Sequence, residues 1–305
     1  MTAKKISALT AATEAQIYND IVLPIVSGGI TLKAAARSAL FWALVPDGAA
    51  VHNCIYRGKD ITADHTSGAM STNIANGTFR NIFIGDYITM KDPLDTTKNM
   101  RWRVAHLDYY LHAGSTETTA HHVVLVAEDA SATTAKMNDS NTTGVTSWTK
   151  GAYLGSKMWN ETIPTINTNL ESTFGAAHVL SHQTLLSNAM TAATASKAGA
   201  GLAGASTGWE WIATEANLMS EEQVYGASVC ESSFYDTGVD NRQLALFAMD
   251  PDKFVAGKGL NGARQTYWLR TVASSAGFAY VNSLGNASCY SASSSLGVRP
   301  LFCYI

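Results

Sequence analysis

His178 and His182 stand four residues apart in HVLSH. On a helix both imidazoles would share one face, the spacing with which a zinc hydrolase offers two metal ligands. Such an enzyme carries a glutamate between the histidines, and HVLSH has none. His106, His112, His121 and His122 add imidazoles, but no cysteine or carboxylate completes a ligand set. They read as imidazoles hydrogen-bonded to backbone in a β-rich core, and no metal is expected. Gly199-x-Gly201-x-x-Gly204 spells a dinucleotide fingerprint and Gly204-Ala-Ser206-Thr-Gly208 spells a nucleophile elbow. Neither has the strand before it that would aim a phosphate or a serine, so both read as a flexible Gly/Ala/Ser loop over 197–208. Cys54, Cys230, Cys289 and Cys303 lie far apart without CxxC spacing, which suits reduced thiols better than disulfides or zinc. No catalytic residue and no cofactor is expected.

The last 38 residues, WLRTVASSAGFAYVNSLGNASCYSASSSLGVRPLFCYI, carry a different chemistry. Apolar and glycine positions alternate with Ser, Ala, Asn, Tyr and Cys. From Thr271 to Gly297 there is no Lys, Glu, Gln, Met or Trp. Those types cannot be reached from an asparagine codon of the form AAY when only its adenines are randomised, so the segment reads as a diversified surface. Ala273, Ser274, Ser275, Ala276, Tyr280, Ser283, Asn286, Ser288, Cys289, Tyr290, Ser291, Ser293 and Ser294 are expected to form one exposed ligand-binding patch, with Trp268, Phe278, Val281 and Val298 buried beneath it. Tyrosines supply contact area at little rotamer cost, and Ser and Asn supply adaptable hydrogen bonds, as in antibody paratopes.

The framework Trp268-Leu-Arg270, Phe278, Val281, Gly285 and Gly297-Val-Arg-Pro300 resembles the variable proteins of diversity-generating retroelements. RGKD, GTF, IGDY, WRVA, HHVVLV, LMSEEQVYG, QLALF and YWLR follow in the order seen in phage and prophage members of that group. The resemblance implies an α+β chain with a C-type lectin fold, β-rich with two helices, over residues 46–305, its variable region at about 271–297. It implies binding rather than catalysis: an adhesin or phage receptor-binding protein, a host-tropism determinant at the tip of a tail fibre. A host-cell surface protein or glycan would be the partner. Sugar-binding C-type lectins hold calcium with clustered carboxylate and amide oxygens, and 271–297 has no carboxylate, so calcium-dependent sugar recognition does not come with the fold. Two alternatives share it: a formylglycine-generating type of enzyme using Cys289 and Cys303, and a purely structural virion decoration protein.

These residues must be positioned by elements legible along the chain. Residues 1–45 resemble a module at the start of phage tail-fibre proteins: two short β segments around Gly28-Gly29, then an Ala-rich helix. It is too small to bury a core alone, which points to oligomerisation, a homotrimer, and attachment to other tail-structure proteins. Strands are expected around 54–59, 82–87, 102–105 and 122–126, helices over 170–188 and 216–225, and a last strand over 298–305 that pairs with an earlier one. Trp209, Trp211, Tyr267, Trp268 and Phe302 read as the aromatic framework behind the patch. With a formal charge of −3 and no basic block, the chain offers nucleic acid no footprint. Neither a signal peptide nor a membrane-spanning run is read, so the expectation is a protein made in the host cytoplasm and carried on a virion.

Overall fold

A computed structural model describes residues 22–27, 30–35, 45–190, 206–230, 242–257, 259–260 and 262–305, with the backbone alone for 22–35, 206 and 207. The chain divides into two compact units, Met1–Asp47 and Gly48–Ile305. In the first, β1 (Val22–Ser27) and β2 (Ile30–Ala35) pair antiparallel, with Ser27 opposite Ile30 across a two-residue connection. The Ala-rich helix expected next lies outside the described residues.

The second unit mixes helix and sheet. Its largest sheet is antiparallel and curls into a half-barrel. The strand order is β10 (Ala216–Leu218), β15 (Pro300–Tyr304), β5 (Val123–Ala127), β4 (Asn99–Leu107) and β3 (Tyr87–Lys91), with β7 (Val179–Leu180) continuing the β10 edge of β15. Every residue of β5 and of β15 is buried. Such unbroken apolar runs belong to strands covered on both faces. The cover on one side is α4 (Ile163–Phe174), whose Ile163, Ile166, Leu170 and Phe174 recur at helical spacing as a buried stripe. Phe174 closes on Trp102 and Phe302 at ring-centroid distances of 5.9 and 4.9 Å. Shorter helices, α1 (Ala49–His52), α2 (Thr62–Thr66) and α3 (Ala69–Ala75), precede the sheet, and α5 (Glu221–Tyr225) and α6 (Ala245–Met249) follow β10.

A long hairpin, β8 (His182–Met190) with β9 (Ser206–Thr214), stands beside this sheet. The segment read as diversified forms a separate three-stranded antiparallel sheet, β11 (Tyr267–Ser274), β12 (Gly277–Val281) and β13 (Ala287–Ser291), before β14 (Ser295–Leu296) pairs with β6 (Ala135–Lys136). The chain then enters β15 at the heart of the large sheet, where Phe302 faces Ala216 on one side and Leu125 on the other.

The ordered motifs are structural devices. In RGKD and IGDY, Arg57 grips the buried Asp86 carboxylate through Nε at 3.0 Å and Nη2 at 2.6 Å, while the backbone N–H groups of Lys59 and Phe83 donate to the same carboxylate. In GVRP, the wholly buried Arg299 donates to the carbonyls of Ala127 and Lys253 and to the Tyr267 hydroxyl. A buried guanidinium is tolerable only with its donors satisfied in this way. Gly297 must lack a side chain, because a Cβ there would sit 2.6 Å from both the Thr266 carbonyl oxygen and the Ala130 methyl.

Several expectations about elements fail. The segments read as strands over 54–59 and 82–87 contribute only isolated bridges, Tyr56 to Ile84 and Asp60 to Tyr87, before β3 begins at Tyr87, and the helix read over 216–225 is strand at Ala216–Leu218 and helix only from Glu221. The helix read over 170–188 ends at Phe174, where Gly175 turns out at φ 90°, and 182–190 is strand. His178 and His182 therefore share no helix face: His178 stacks on Tyr304 and His182 packs on Tyr110. The loop read over 197–208 is strand from Ser206 onward, and its remainder lies outside the described residues. Within the aromatic framework read as core and rim packing, Tyr267, Trp268 and Phe302 are buried, and Trp209 and Trp211 are half-buried on β9.

Candidate functional site

The three-stranded sheet is built outward from its buried strand. All eight residues of β11 are buried. Behind it, the Arg270 N–H donates to the Met219 carbonyl, and the Glu221 N–H donates to Thr271 Oγ1. The LMSEEQVYG motif supplies this backing. Ser220 caps α5 in a reciprocal capping box with Gln223, whose Oε1 also accepts from Arg270 Nη1 at 2.7 Å and whose Nε2 donates to the Tyr110 hydroxyl at 2.7 Å. Glu221 is fully buried and accepts from the backbone N–H groups of Val229 and Cys230.

β12 and β13 then carry side chains outward in strict alternation. Tyr280 stands opposite both Trp268 and Ser288, and Phe278 stands opposite Tyr290. One face of the sheet thus steps from core to solvent. Trp268 is buried with its indole N–H on the Ala135 carbonyl at 2.9 Å, Tyr280 is half-buried 6.4 Å away, and Tyr290 lies 5.7 Å further on, 51% exposed. Trp268, Phe278, Val281 and Val298 are all buried, as read from the sequence.

The thirteen residues expected to form one exposed patch do not all do so. Ala273 and Ser274 are buried, a correction with a specific cause: Thr143, remote in sequence, covers the end of β11 and donates its hydroxyl to the Ser274 carbonyl at 2.7 Å. The remaining eleven are half-buried or exposed but fall into four places. Ser275, Ala276, Ser293 and Ser294 occupy turns at one end of the sheet. Ser283 and Asn286 occupy the Asn282–Asn286 turn at the other end, about 14 Å away at the rise of a five-residue strand. Ser288 and Tyr290 share the Tyr280 face, whereas the pleat sends Cys289 and Ser291 to the opposite face. There Cys289 contributes, after burial and the Glu221 carboxylate, to raising the Cys230 thiol pKa. Burial also holds the Cys303 thiol well above its ordinary range, leaving it a poor nucleophile or ligand at neutral pH.

The coherent surface is thus Tyr280, Ser288 and Tyr290 with the turns at 275–276 and 293–294. The sequence reading missed its neighbours. Asn141 accepts from both the Ser293 backbone N–H and the Ser293 hydroxyl, and the Thr143 N–H donates to the Ser275 carbonyl. The run Asp139-Ser-Asn-Thr-Thr-Gly144 signals a loop, but nothing local says which strand it will join.

The histidines take structural places. His122 Nε2 accepts the Tyr110 N–H, so its Nδ1–H donates to Ala120. Burial pulls His106 and His182 down to about 3, aided by Arg242 beside His106 and by His122 beside His182. Among the described residues no three metal-ligating side chains cluster.

Residues 181–304, from the start of β8 to the end of β15, match a family described only as a domain of unknown function (DUF6273). The match covers less than half of the chain and brings no activity with it. No curated protein and no solved structure matches the chain.

Proposed function

We propose that this chain is a ligand-binding protein that presents a diversified face on a C-type lectin-like scaffold, serving as the receptor-binding component of a phage or prophage tail. The observation that carries the reading is the division of labour within β11–β13. Framework positions are buried and tied by Arg270, Gln223 and Arg299, while eleven of the thirteen candidate patch positions, all of those from Ser275 onward, are half-buried or exposed. A rigid support under a compositionally restricted surface lets residues change without refolding, and it limits the ordering cost of binding. The return of the C-terminal strand to the middle of the large antiparallel sheet is compatible with a lectin-like topology.

Contact in this reading runs through Tyr280, Tyr290 and the flanking hydroxyls, without calcium. The ligand is a host-surface protein or glycan. Tyr290→Ala tests the reading, with attachment to host cells and thermal stability measured side by side. Attachment should fall at least about tenfold, as expected of an aromatic anchor. Stability should move by no more than about 0.5 kcal/mol, because the ring is half in solvent. Undiminished attachment would remove Tyr290 from the contact surface. Addition of EDTA should leave attachment unchanged.

A further inference from the structure

The segment after Asn141 does more than border the patch. It walls two adjoining cavities against the β8–β9 hairpin, which share Thr149 and Lys150. One, of about 340 Å³, is lined by Trp148, Leu154, Trp159, Asn160 and Ile212 among others. Its neighbour, of about 370 Å³, is lined by Val145, Gly151, Asn188 and Met190 among others. Both lie at the lower end of the size range of small-ligand pockets, about 300–1,000 Å³.

This groove is held in place from several sides. The Gly151 and Leu154 N–H groups donate to the Asn188 and Ser187 carbonyls of β8, and the Ala152 N–H donates to the Thr143 carbonyl. Ala152 takes the left-handed conformation, φ 53°, that a non-glycine residue avoids unless its surroundings impose it. Met158–Thr162 is a turn of π-helix, a rare form that recurs at functional sites, and it carries Trp159 and Asn160. Trp159 packs on the wholly buried Tyr153, with ring centroids 5.6 Å apart. Asn160 commits its amide hydrogens to the Leu154 and Ser156 carbonyls. Its Oδ1 has no hydrogen-bond partner among the described residues and remains to accept from a ligand.

The chemistry is specific. Trp148 and Trp159 are half-buried and both line the first cavity, so indole surface borders it. Lys150, the cation of the groove, is ion-paired with Glu210, which leaves little field to draw an anion. Ser147 and Thr149 add exposed hydroxyls. A ligand suited to this lining is neutral, has an apolar face to lie on an indole, and carries a rim of hydroxyls for Asn160, Ser147, Thr149 and Lys150. We propose that the groove between residues 144–160 and the β8–β9 hairpin binds a neutral hexopyranose, independently of any metal. The assignment is separate from the diversified face, since no residue of 271–297 lines either cavity.

The full-length chain should be titrated with the methyl glycosides of glucose, galactose and N-acetylglucosamine, with methyl glucuronide as an anionic control. Tryptophan fluorescence and saturation-transfer NMR report binding. At ordinary efficiency for a ligand of about a dozen heavy atoms, a dissociation constant on the order of 1 mM is expected for at least one neutral glycoside, with weaker binding of the glucuronide. Trp148→Ala should weaken binding at least about tenfold with an unchanged melting temperature, and Trp159→Phe, which keeps an aromatic ring on Tyr153, should weaken it less. Tyr290→Ala should leave glycoside binding untouched, so this site and the diversified face fail separately. Absence of a saturable response to every neutral glycoside, undiminished binding by Trp148→Ala, tighter binding of the glucuronide, or preference for a leucine-containing tripeptide over the sugars would each overturn the proposal.

Discussion

At the scale of single residues, the C-terminal segment sorts its side chains by what each would lose on exchange. Trp268 is fully buried, packs edge-on against Tyr280, and spends its indole N–H on the Ala135 carbonyl. Trp268→Ala should therefore cost about 3–5 kcal/mol, the loss expected when a large aromatic leaves a cavity in a close-packed interior. Urea denaturation of the full chain measures it; a loss below about 1 kcal/mol would mean that the site relaxes around the smaller residue. Tyr290, two steps outward on the same face, belongs to the opposite case. Its environment is half solvent, so its removal should register in attachment and hardly in stability. This contrast was expected from the sequence, where Trp268 and Phe278 read as framework and Tyr290 as part of the diversified set; alternation alone does not produce it, since buried Phe278 stands opposite exposed Tyr290 on one face. The burial of Ala273 and Ser274 was not legible, since their cover comes from Thr143, 131 residues away from Ser274.

Among the elements, the strands that close the large sheet were readable, and the stretch between 170 and 190 was not. Phe174, Ala177, Val179, Leu180 and Leu185 mimic a helical stripe. Only Gly175, at positive φ, and the distant partner strand β9 convert the second half to β-structure. Strand identity there comes from non-local pairing rather than from local pattern. The histidines read from the sequence as imidazoles bonded to backbone do join elements in this way, although the misread helix gave His178 and His182 the wrong setting. His106 Nδ1 accepts the Ala245 N–H at the start of α6, and His182 packs its ring 4.3 Å from Tyr110. Both are held neutral in the fold, with pKa values near 3 against 6.5 for the free side chain. Below about pH 6.5 the unfolded chain binds protons that the folded chain refuses. Their contribution is thus complete above that pH and is lost progressively as pH falls toward 3. Urea midpoints of the native chain should decline over this acid range. His182→Phe, which keeps the ring stacking but cannot titrate, should flatten part of the decline. An equal slope in both proteins would show that other groups dominate acid unfolding.

For the whole molecule, the division at Asp47 separates a unit with an extensive core from a small one whose described part is a single hairpin. A two-stranded hairpin is at best marginally stable alone in water. We propose that the apolar residues of Val22-Leu-Pro-Ile-Val26 and Ile30-Thr-Leu32 are covered by a partner surface. In the receptor-binding reading, that surface is the same segment of two further copies, and a homotrimer turns weak contacts at each diversified face into avidity. Sedimentation equilibrium of the full-length chain should then give a mass of three times 32.4 kDa. Paired charge substitutions at Leu23 and Leu32 should shift it to monomer while the far-ultraviolet spectrum of the larger unit persists. Cell attachment by the monomeric variant should drop by roughly 10²-fold or more, the scale on which avidity acts, even though every residue of the diversified face is intact. A full-length chain that sediments as a monomer, or a monomeric variant that attaches as well as the parent, would leave the first unit without an assembling role and the face dependent on single-site affinity alone.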